Sequence, residues 1–586
     1  MLRRLPIALL LYISIITILS SLDIRAYVTI RRITIYQPLT LNFPLPAIVI
    51  LLPLSIMSLY ALSIRQRVLF TVLFILIHVS AFVYNVYWIA ILLSIAIVIF
   101  PILKDVDILR ELIVLCIFLH GLLSAYSLIM YIIYGVTDGS IYSNGGWAPA
   151  IVGMYLYYYL QGVYLPLMLI IPYLTLTSIY MYYNNYKDLL QIKGLHIKLS
   201  KKKFFSLIPF AFTEKILGNN RNVNLVLYLS ILISLVSSIY PILPTINPEF
   251  NPVGVDVKYF YKPWIEKVLS GDPFIMSFRV AEGSRPLYML ILYLLINMGF
   301  SVEEVLNCII IPLLPMLVFS VYYMVYRISG RKDLAALSSF FTATGYQVTV
   351  GIYSAFHASI LALSLMYVFL GIVIDGWRSK REKMLALLIV FVANLIHPWT
   401  VVHSFAVAFI YLVLLFLYNM KYRDMLYRLL LSIVPLALSE LIKAYFKSYG
   451  VIGASYSVIR GGDISLDNVW RFVGEMHYAT TRLYGGFIDF PLLILVFICI
   501  PFIIFFKRTG VFSYSWLASA IVLMFSNSVA QTRIYLNIPI GLLSAQSVII
   551  LSNILYLKKR MFLLSIMLIS LEYLFRCLAN LGYLTW

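Results

Sequence analysis

Residues 400–419 read TVVHSFAVAFIYLVLLFLYN, a run of 20 residues that contains no Asp, Glu, Lys or Arg. A helix of about 20 apolar residues crosses the roughly 30 Å hydrocarbon core of a bilayer. Comparable apolar runs recur from Leu5 to Leu581. Because a helix satisfies its own backbone hydrogen bonds inside lipid, this recurrence predicts an all-α polytopic membrane protein.

The composition of the whole chain agrees with this prediction. Of its 586 residues, 62% are hydrophobic and 12% are charged, and the mean hydropathy is +0.95. Soluble domains carry about 25% charged residues, so a water-soluble enzyme is excluded. The four cysteines all lie in apolar runs without CxxC spacing, which indicates neither a disulfide framework nor a metal site.

We predict about 17 transmembrane helices, with the amino terminus in the cytoplasm. The predicted spans are 5–22, 46–63, 68–84, 87–103, 111–135, 148–181, 223–244, 304–326, 333–350, 357–375, 384–398, 400–419, 425–446, 488–506, 511–527, 535–556 and 561–581. With this alternation the cytoplasmic segments carry more than twice as many Lys and Arg as the longer outside segments. That bias follows the positive-inside rule and accounts for the net charge of +20 without nucleic acid as a partner.

Three segments leave alternatives open. The amino end fits a signal peptide or an uncleaved first span, and the poor cleavage site at 20–23 favours the span. The segment 148–181 is long enough for a broken or strongly tilted helix. Counting 286–299 as a span would turn the later basic clusters outward, so we predict an interfacial helix there, followed by a capping box from Ser301 to Glu304.

The chain divides into three parts by its polar intervals. Residues 1–181 form an amino-terminal membrane module of about six helices, and 182–222 form a basic cytoplasmic linker that suits anionic lipid head groups. Residues 223–586 form a second membrane domain of about eleven helices, with large outside loops at 245–303 and 447–487. Loops of this length are usually functional. No nucleotide-binding motif occurs in the chain.

Asp256 is the strongest candidate for chemistry in the first outside loop. It follows a Pro/Gly turn beyond the span 223–244 and precedes an aromatic stretch. A carboxylate at the membrane surface can accept a proton from a nucleophile. The alternative is a helix N-cap, a position that favours Asp.

The same loop carries a pattern of spaced residues. A span is followed by Gly254, Asp256, Tyr259, Trp264, Gly271 and Pro273, and then by Arg285-Pro286-Leu287-Tyr288. This layout resembles integral-membrane GT-C glycosyltransferases. The likeness covers roughly 223–450, which includes the helix Val318–Arg327 and the turn that follows it, and is weaker through 586.

The resemblance implies an enzyme that takes a sugar from a polyprenyl-phosphate donor on the outer face of the cell membrane. Asp256 would be its catalytic base or would orient the acceptor, which would be a glycan, a lipid or a protein. Some members of the family have two acidic residues at this position and this chain has one. No cofactor is therefore assigned, although a divalent cation stays possible.

Four further residues are candidates for substrate binding. His397 lies in a short outside turn and would bind phosphate or assist proton transfer, unless it only satisfies a helix end. His357 lies in a similar outside position, and Arg285 belongs to the stretch that carries the resemblance. Arg533 is the lone cation of its predicted outside loop, where it would pair with a lipid phosphate or snorkel to the interface.

The second outside loop and one span hold the remaining candidates. Glu475, His477 and Arg482 suit carbohydrate and phosphate contacts, and a solvated loop explains them equally well. Glu440 and Lys443 are three residues apart inside the span 425–446, where they would pair to offset their burial or line a cavity.

The leading hypothesis is a transferase of a polyprenyl-linked sugar. The alternatives are a transporter or flippase for a lipid-linked or small polar substrate, and a structural subunit of a larger assembly. A transporter predicts broken or charged helices in matched halves. The sequence shows no repeated halves and few charges within spans.

Overall fold

The computed structural model describes residues 216–446 except 245 and 419, then 506–526, 528–554 and 559–581. It also describes two strands between 25 and 38 and scattered residues within 117–129, 467–472 and 496–503. The predicted spans 5–22, 46–63, 68–84, 87–103 and 148–181, and the linker up to residue 215, lie outside the described residues.

The chain divides into two compact units. One comprises 1–207 with 551–572, and the other comprises 208–550 with 573–586. In the first unit, strand β1 (Arg25–Ile30) pairs antiparallel with strand β2 (Ile33–Pro38), and described residues between 117 and 129 are helical. Apart from this hairpin, every element that the structure describes is helical, as predicted.

The second unit holds the elements that build the candidate site. Short 3₁₀ turns cover Tyr240–Ile242 and Val280–Gly283, and a π-helix covers Val257–Tyr261. The α-helices, two of which run on into the other unit, are α1 (Asn220–Ile239), α2 (Lys262–Leu269), α3 (Pro273–Arg279), α4 (Pro286–Asn297), α5 (Val302–Cys308), α6 (Ile310–Ser329), α7 (Lys332–Ala343), α8 (Tyr346–Ser354), α9 (His357–Asp375), α10 (Lys380–Ile396), α11 (Pro398–Leu417), α12 (Arg423–Tyr445), α13 (Arg508–Met524), α14 (Ser528–Asn537), α15 (Ile540–Ile554) and α16 (Lys559–Leu581).

Helix α9 is the central helix of this unit. It is 83% buried over its apolar window, whereas α12 is 22% buried. It packs against α6 on one side and against α10 and α11 on others. The first residues of α9 therefore lie deep within the helix bundle, where side chains from several helices reach them.

Five described helical segments are long and apolar enough to cross a membrane, or six if the bent pair α14–α15 is one span. The five are α1 with its 3₁₀ turn, α5 with α6, α9, α11 and α12, and they match the predicted spans 223–244, 304–326, 357–375, 400–419 and 425–446. The total of about 17 spans stays a prediction.

Two predicted spans are broken in the structure. The segment 333–350 is two helices, α7 and α8, which are separated at Thr344 and Gly345. A Cβ at Gly345 would meet the carbonyl oxygen of Phe341, so only glycine fits this break. The described part of the predicted span 535–556, residues 535–554, falls on α14, α15 and the break between them, where the two helices are bent by 50° and Pro539 offers no N–H.

The two breaks pack against each other. Gln347 on α8 donates to the carbonyl of Leu536, and the Tyr367 hydroxyl on α9 donates to the carbonyl of Asn537 at 2.7 Å. These side chains supply donors at the carboxyl end of α14. A Cβ at Gly541 would lie 2.7 Å from the backbone nitrogen of Thr342, so the backbones approach closely. The contacts hold α14 beside α9.

The helix predicted at 286–299 is present as α4, and the next helix begins with the predicted capping box. The Ser301 hydroxyl accepts the Glu304 N–H at 3.2 Å, and the Glu304 carboxylate accepts the Ser301 N–H at 2.8 Å. Gly299 provides the turn between them with φ of +105°. The position of α4 at a membrane surface stays a prediction.

Candidate functional site

Asn307 on α5 organises the loop that precedes Asp256. Its side-chain oxygen accepts the Val253 N–H at 2.9 Å, and its amide donates to the carbonyls of Phe250 and Asn251, each at 3.2 Å. Gly254 then has φ of +94°, and a Cβ there would lie 2.8 Å from the Ile352 carbonyl oxygen. Only glycine allows this loop to run directly against the end of α8.

Asp256 directly precedes the π-helix Val257–Tyr261, but its side chain does not cap that helix. Its backbone is already helical, with φ of −67° and ψ of −27°, and its side chain makes no capping hydrogen bond. The residue is 8% exposed. Burial raises the pKa of its carboxyl from 3.8 to about 6, although the charges of Arg285 and Arg533 both act to lower it. The N-cap alternative considered above is therefore wrong, and the carboxyl is free for another role.

Arg285 lies opposite Asp256 at the residue before α4. Its Nη1 is 4.0 Å from the Asp256 Oδ2 and donates to the Tyr261 hydroxyl at 2.9 Å. The guanidinium lies over the rings of Tyr261 and Trp264, at 5.3 and 5.2 Å from their centroids. Pro286 begins the helix directly after it, so the guanidinium is held where the loop enters α4.

Tyr261 connects this loop to the start of α9. Its ring stacks on the His357 ring, with centroids 5.6 Å apart and planes inclined by 5°. Its hydroxyl accepts both the Arg285 guanidinium and, at 3.3 Å, the Ala358 N–H. Burial raises the pKa of the Tyr261 phenol to about 12, so it stays protonated at neutral pH. The ring of Tyr288 packs on the same tyrosine at 5.2 Å.

Ser359, on the first turn of α9, connects three helix ends. Its hydroxyl accepts a hydrogen bond from the Arg533 Nη1 at 3.1 Å and lies 3.0 Å from the His397 Nε2. The His397 Nδ1 accepts the Thr400 N–H at 3.3 Å and so caps α11. His397 thus does cap a helix, as one alternative held, while its other nitrogen points to Ser359.

Several polar atoms around Asp256 are buried without a hydrogen-bond partner among the described residues. They are the Nε of Arg285, the Nε of Arg533, the Nδ1 of His357 and the hydroxyl of Tyr288. The two guanidinium charges lie close enough to repel each other, and Asp256 is the carboxylate that acts on both. Buried cations that lack full compensation favour an anionic ligand.

The structure brings together five of the eight candidate site residues, namely Asp256, Arg285, His357, His397 and Arg533. The candidates Glu475, His477 and Arg482 lie outside the described residues. The loop assignment of Arg533 was wrong, because the residue lies inside α14 and is 6% exposed. The apolar run that predicted the span 535–556 starts after Arg533. The helix α14 starts before Arg533, at Ser528, and the Arg533 side chain is buried in the bundle.

Three contributing side chains were missed by sequence reasoning. Ser359 lies in an apolar run where serine usually bonds to its own helix, and its only signal is its place two residues after His357. Tyr261 lies in the aromatic stretch after Asp256 and Tyr288 in the stretch that carries the resemblance, but nothing in the sequence distinguishes them from the other tyrosines of the chain. Their burial distinguishes them, since both are fully buried.

The described residues contain no group of three His, Cys, Asp or Glu side chains that could hold a metal ion. The charged groups that act on Asp256 are the guanidiniums of Arg285 and Arg533. Two positive charges beside one carboxylate favour an anion as the ligand of this cluster.

No protein-family model matches this chain, and no curated protein matches it in sequence. The resemblance to the GT-C glycosyltransferases thus remains an expectation.

Proposed function

We propose that this protein is a membrane glycosyltransferase that moves a sugar from a polyprenyl-phosphate-linked donor to an acceptor on the extracytoplasmic face. The observation that carries the proposal is the placement of one buried carboxylate, Asp256, beside the part-buried guanidinium of Arg285 and within the field of the buried guanidinium of Arg533. A proton acceptor next to an anion-binding pair is what the transfer of a sugar from a phosphate requires.

The two arginines support binding of the donor phosphate. Arg533 keeps an unpartnered Nε inside the bundle, and Arg285 keeps one beside Asp256. A planar guanidinium can donate two parallel hydrogen bonds to phosphate oxygens. Negative charge grows on the phosphate as the bond to the sugar breaks, so fixed cations stabilise the transition state more than the ground state.

Asp256 supports activation of the acceptor. With a pKa of about 6 its carboxyl is mostly ionised at neutral pH yet basic enough to take a proton. In the proposed step the acceptor hydroxyl transfers its proton to Asp256 while its oxygen bonds to the anomeric carbon. The bond from that carbon to the phosphate oxygen breaks, and its electron pair leaves with the polyprenyl phosphate.

Helix α4 supports a lipid-linked rather than a free sugar phosphate. It begins at Pro286, directly after Arg285, and its sequence is apolar almost throughout. Leu294 and Met298 are 53% and 73% exposed at its far end. An apolar surface that leads to a phosphate-binding arginine suits a polyprenyl chain attached to the phosphate.

One observation favours the rival, a transporter or flippase of a lipid-linked substrate. Arg533 lies on α14, the first half of a helix pair broken by 50°, and α7–α8 is broken opposite it. Broken helices commonly surround substrate sites in transporters. In the described part of the chain, the broken helix pairs α7–α8 and α14–α15 face each other. Arg533 on α14 interacts with the charge of Asp256, the proposed proton acceptor.

The test is transfer of radiolabelled sugar from polyprenyl-phosphate sugars by membranes that carry wild type, Asp256→Asn or Asp272→Asn. Asp272 is an exposed N-cap in the same loop, and Asn keeps that cap, so this variant is the matched control. Transfer that is lost only in Asp256→Asn supports the proposal. Transfer that survives in Asp256→Asn removes Asp256 as base. Absence of transfer together with movement of labelled lipid across vesicle membranes would support the transporter instead.

A further inference from the structure

Pro398 leaves one carbonyl at the end of α10 without its usual donor. In a continuous helix the Asn394 carbonyl would accept the N–H of the residue four positions later, which is Pro398 and has no N–H. Asn394 is fully buried, and α10 ends at Ile396, after which the His397 N–H donates to the Ala393 carbonyl. A buried carbonyl in this position needs another donor.

Lys443 on α12 supplies that donor. Its ammonium donates to the Asn394 carbonyl and lies 3.5 Å from the side-chain oxygen of the same residue. The lysine is completely buried inside a helix that is otherwise suited to cross a membrane. A positive charge at a helix carboxyl end also interacts favourably with the helix dipole.

Glu440 and Ser439 complete the attachment. The Asn394 side-chain amide donates to the Glu440 carboxylate and to the Ser439 hydroxyl, at 2.7 Å each. The Lys443 ammonium is 4.0 Å from the Glu440 oxygen, beyond hydrogen-bond distance. The two charged residues therefore bind Asn394 more closely than they bind each other, and a simple ion pair does not account for the arrangement.

We infer that Lys443 is a positioning residue, which holds the turn between α10 and α11 so that His397 reaches Ser359. His397 lies three residues after Asn394 and is the only residue between the two helices. Its Nε2 reaches Ser359, which also accepts the bond from Arg533. The expected effect on sugar transfer rests on the proposed function, whereas the positioning of His397 by Lys443 does not.

The experiment compares Lys443→Met, which removes the donor, with Glu440→Gln, which removes only the carboxylate charge. Lys383→Met is the control, because Lys383 lies in the first turn of α10, at the opposite end of that helix from Asn394. Full-length protein in lipid nanodiscs carries ¹⁵N-labelled histidine, and His397→Gln identifies the His397 signals among those of the seven histidines.

We expect Lys443→Met to shift the ¹⁵N signals of His397, while Glu440→Gln and Lys383→Met leave them in place. In the transfer assay Lys443→Met is expected to lower the rate about 100-fold, the scale on which misplacement by 1 Å slows catalysis. In a protein that already carries His397→Gln, adding Lys443→Met is expected to cause no further loss of rate, because both substitutions act through His397.

Three results would overturn the inference. One is an unchanged His397 spectrum in Lys443→Met, and another is an equal effect of Glu440→Gln, which would indicate a plain ion pair. The third is a rate loss that adds fully to that of His397→Gln. If Lys443→Met does not fold, Lys443→Gln replaces it, because glutamine keeps a hydrogen-bond donor on a shorter side chain. The ¹⁵N signals of His397 are then compared between Lys443→Gln and wild type. Absence of transfer in wild type would reject the proposed function and leave the spectral result valid.

Discussion

The Arg533 guanidinium on α14 donates to the Ser359 hydroxyl on α9 over 3.1 Å. Ser359 is fully buried and also lies against His397, so this one hydroxyl joins a cation from late in the chain to the histidine between α10 and α11. The bond holds one end of the guanidinium, whose charge interacts with those of Asp256 and Arg285.

Arg533→Gln is expected to lower sugar transfer about 100-fold, the loss typical when one donor to a developing negative charge is removed. The reason is that glutamine is neutral and cannot reach both Ser359 and a bound phosphate. The measurement is the initial rate of transfer at saturating donor. Arg279→Gln, an exposed arginine on α3, serves as control and should retain the wild-type rate. Equal rates for the two variants would remove Arg533 from the site.

Transfer should depend on pH through Asp256. Because burial raises the pKa of this carboxyl to about 6, the proton acceptor is lost as the pH falls below 6. The rate is expected to rise about tenfold per pH unit below that value and to level off above it. A pH–rate profile of the wild type checks this, with Asp272→Asn as control. A transfer rate that stays constant down to pH 4.5 would contradict the role of Asp256 as proton acceptor.

The same pKa predicts how stability changes with pH. The Asp256 carboxyl has a pKa of 3.8 in the unfolded chain and of about 6 in the folded chain. The protonated carboxyl therefore contributes its full stabilisation of the fold below pH 3.8, and this stabilisation is lost as the pH rises through 6. Asp256→Asn removes that loss and should raise the free energy of unfolding at pH 8, on the order of 2 kcal/mol. Thermal unfolding in detergent at pH 4.5 and 8 measures it. The gain should be smaller at pH 4.5.

Gly254→Ala should displace Asp256. The added Cβ would meet both the Ala355 side chain and the Ile352 carbonyl at a backbone φ of +94°. The left-handed backbone alone costs about 1–2 kcal/mol, and the clash adds to it. Gly299→Ala is the matched control, because Gly299 has φ of +105° with nothing within 4 Å of its added Cβ. A larger fall in both melting temperature and transfer is expected for Gly254→Ala. Equal effects would show that backbone strain alone matters.

Tyr261→Phe should weaken the hold on Arg285. The change removes the oxygen that accepts both the Arg285 guanidinium and the Ala358 N–H, and a buried donor without a partner costs about 1–3 kcal/mol. Lower unfolding free energy and slower transfer are both expected. Tyr259→Phe, with a ring 63% exposed in the same stretch, is the control for loss of a hydroxyl. A neutral Tyr261→Phe would mean that Arg285 is held by Asp256 and Trp264 alone.

Local features of this protein were well predicted from local sequence. The capping box at Ser301 and Glu304 depends on residues three apart, so the pattern was sufficient to place the start of α5. The charge pair Glu440 and Lys443 was expected from spacing on one helix face. Its actual use, which is to hold Asn394 of a different helix, depends on a contact across 49 residues and has no local signal.

Hydropathy along the chain established its membrane character, because uninterrupted apolar runs are costly to keep in water and long enough to cross lipid. The residue pattern also indicated Asp256, Arg285, His357, His397 and Arg533 as candidates, since polar groups within apolar surroundings are rare. The convergence of these five residues, the paired breaks in two predicted spans and the burial of Arg533 inside the bundle were visible in the folded chain alone. The physical reason is that helix breaks and convergence depend on packing between distant segments, whereas hydropathy reports each segment alone.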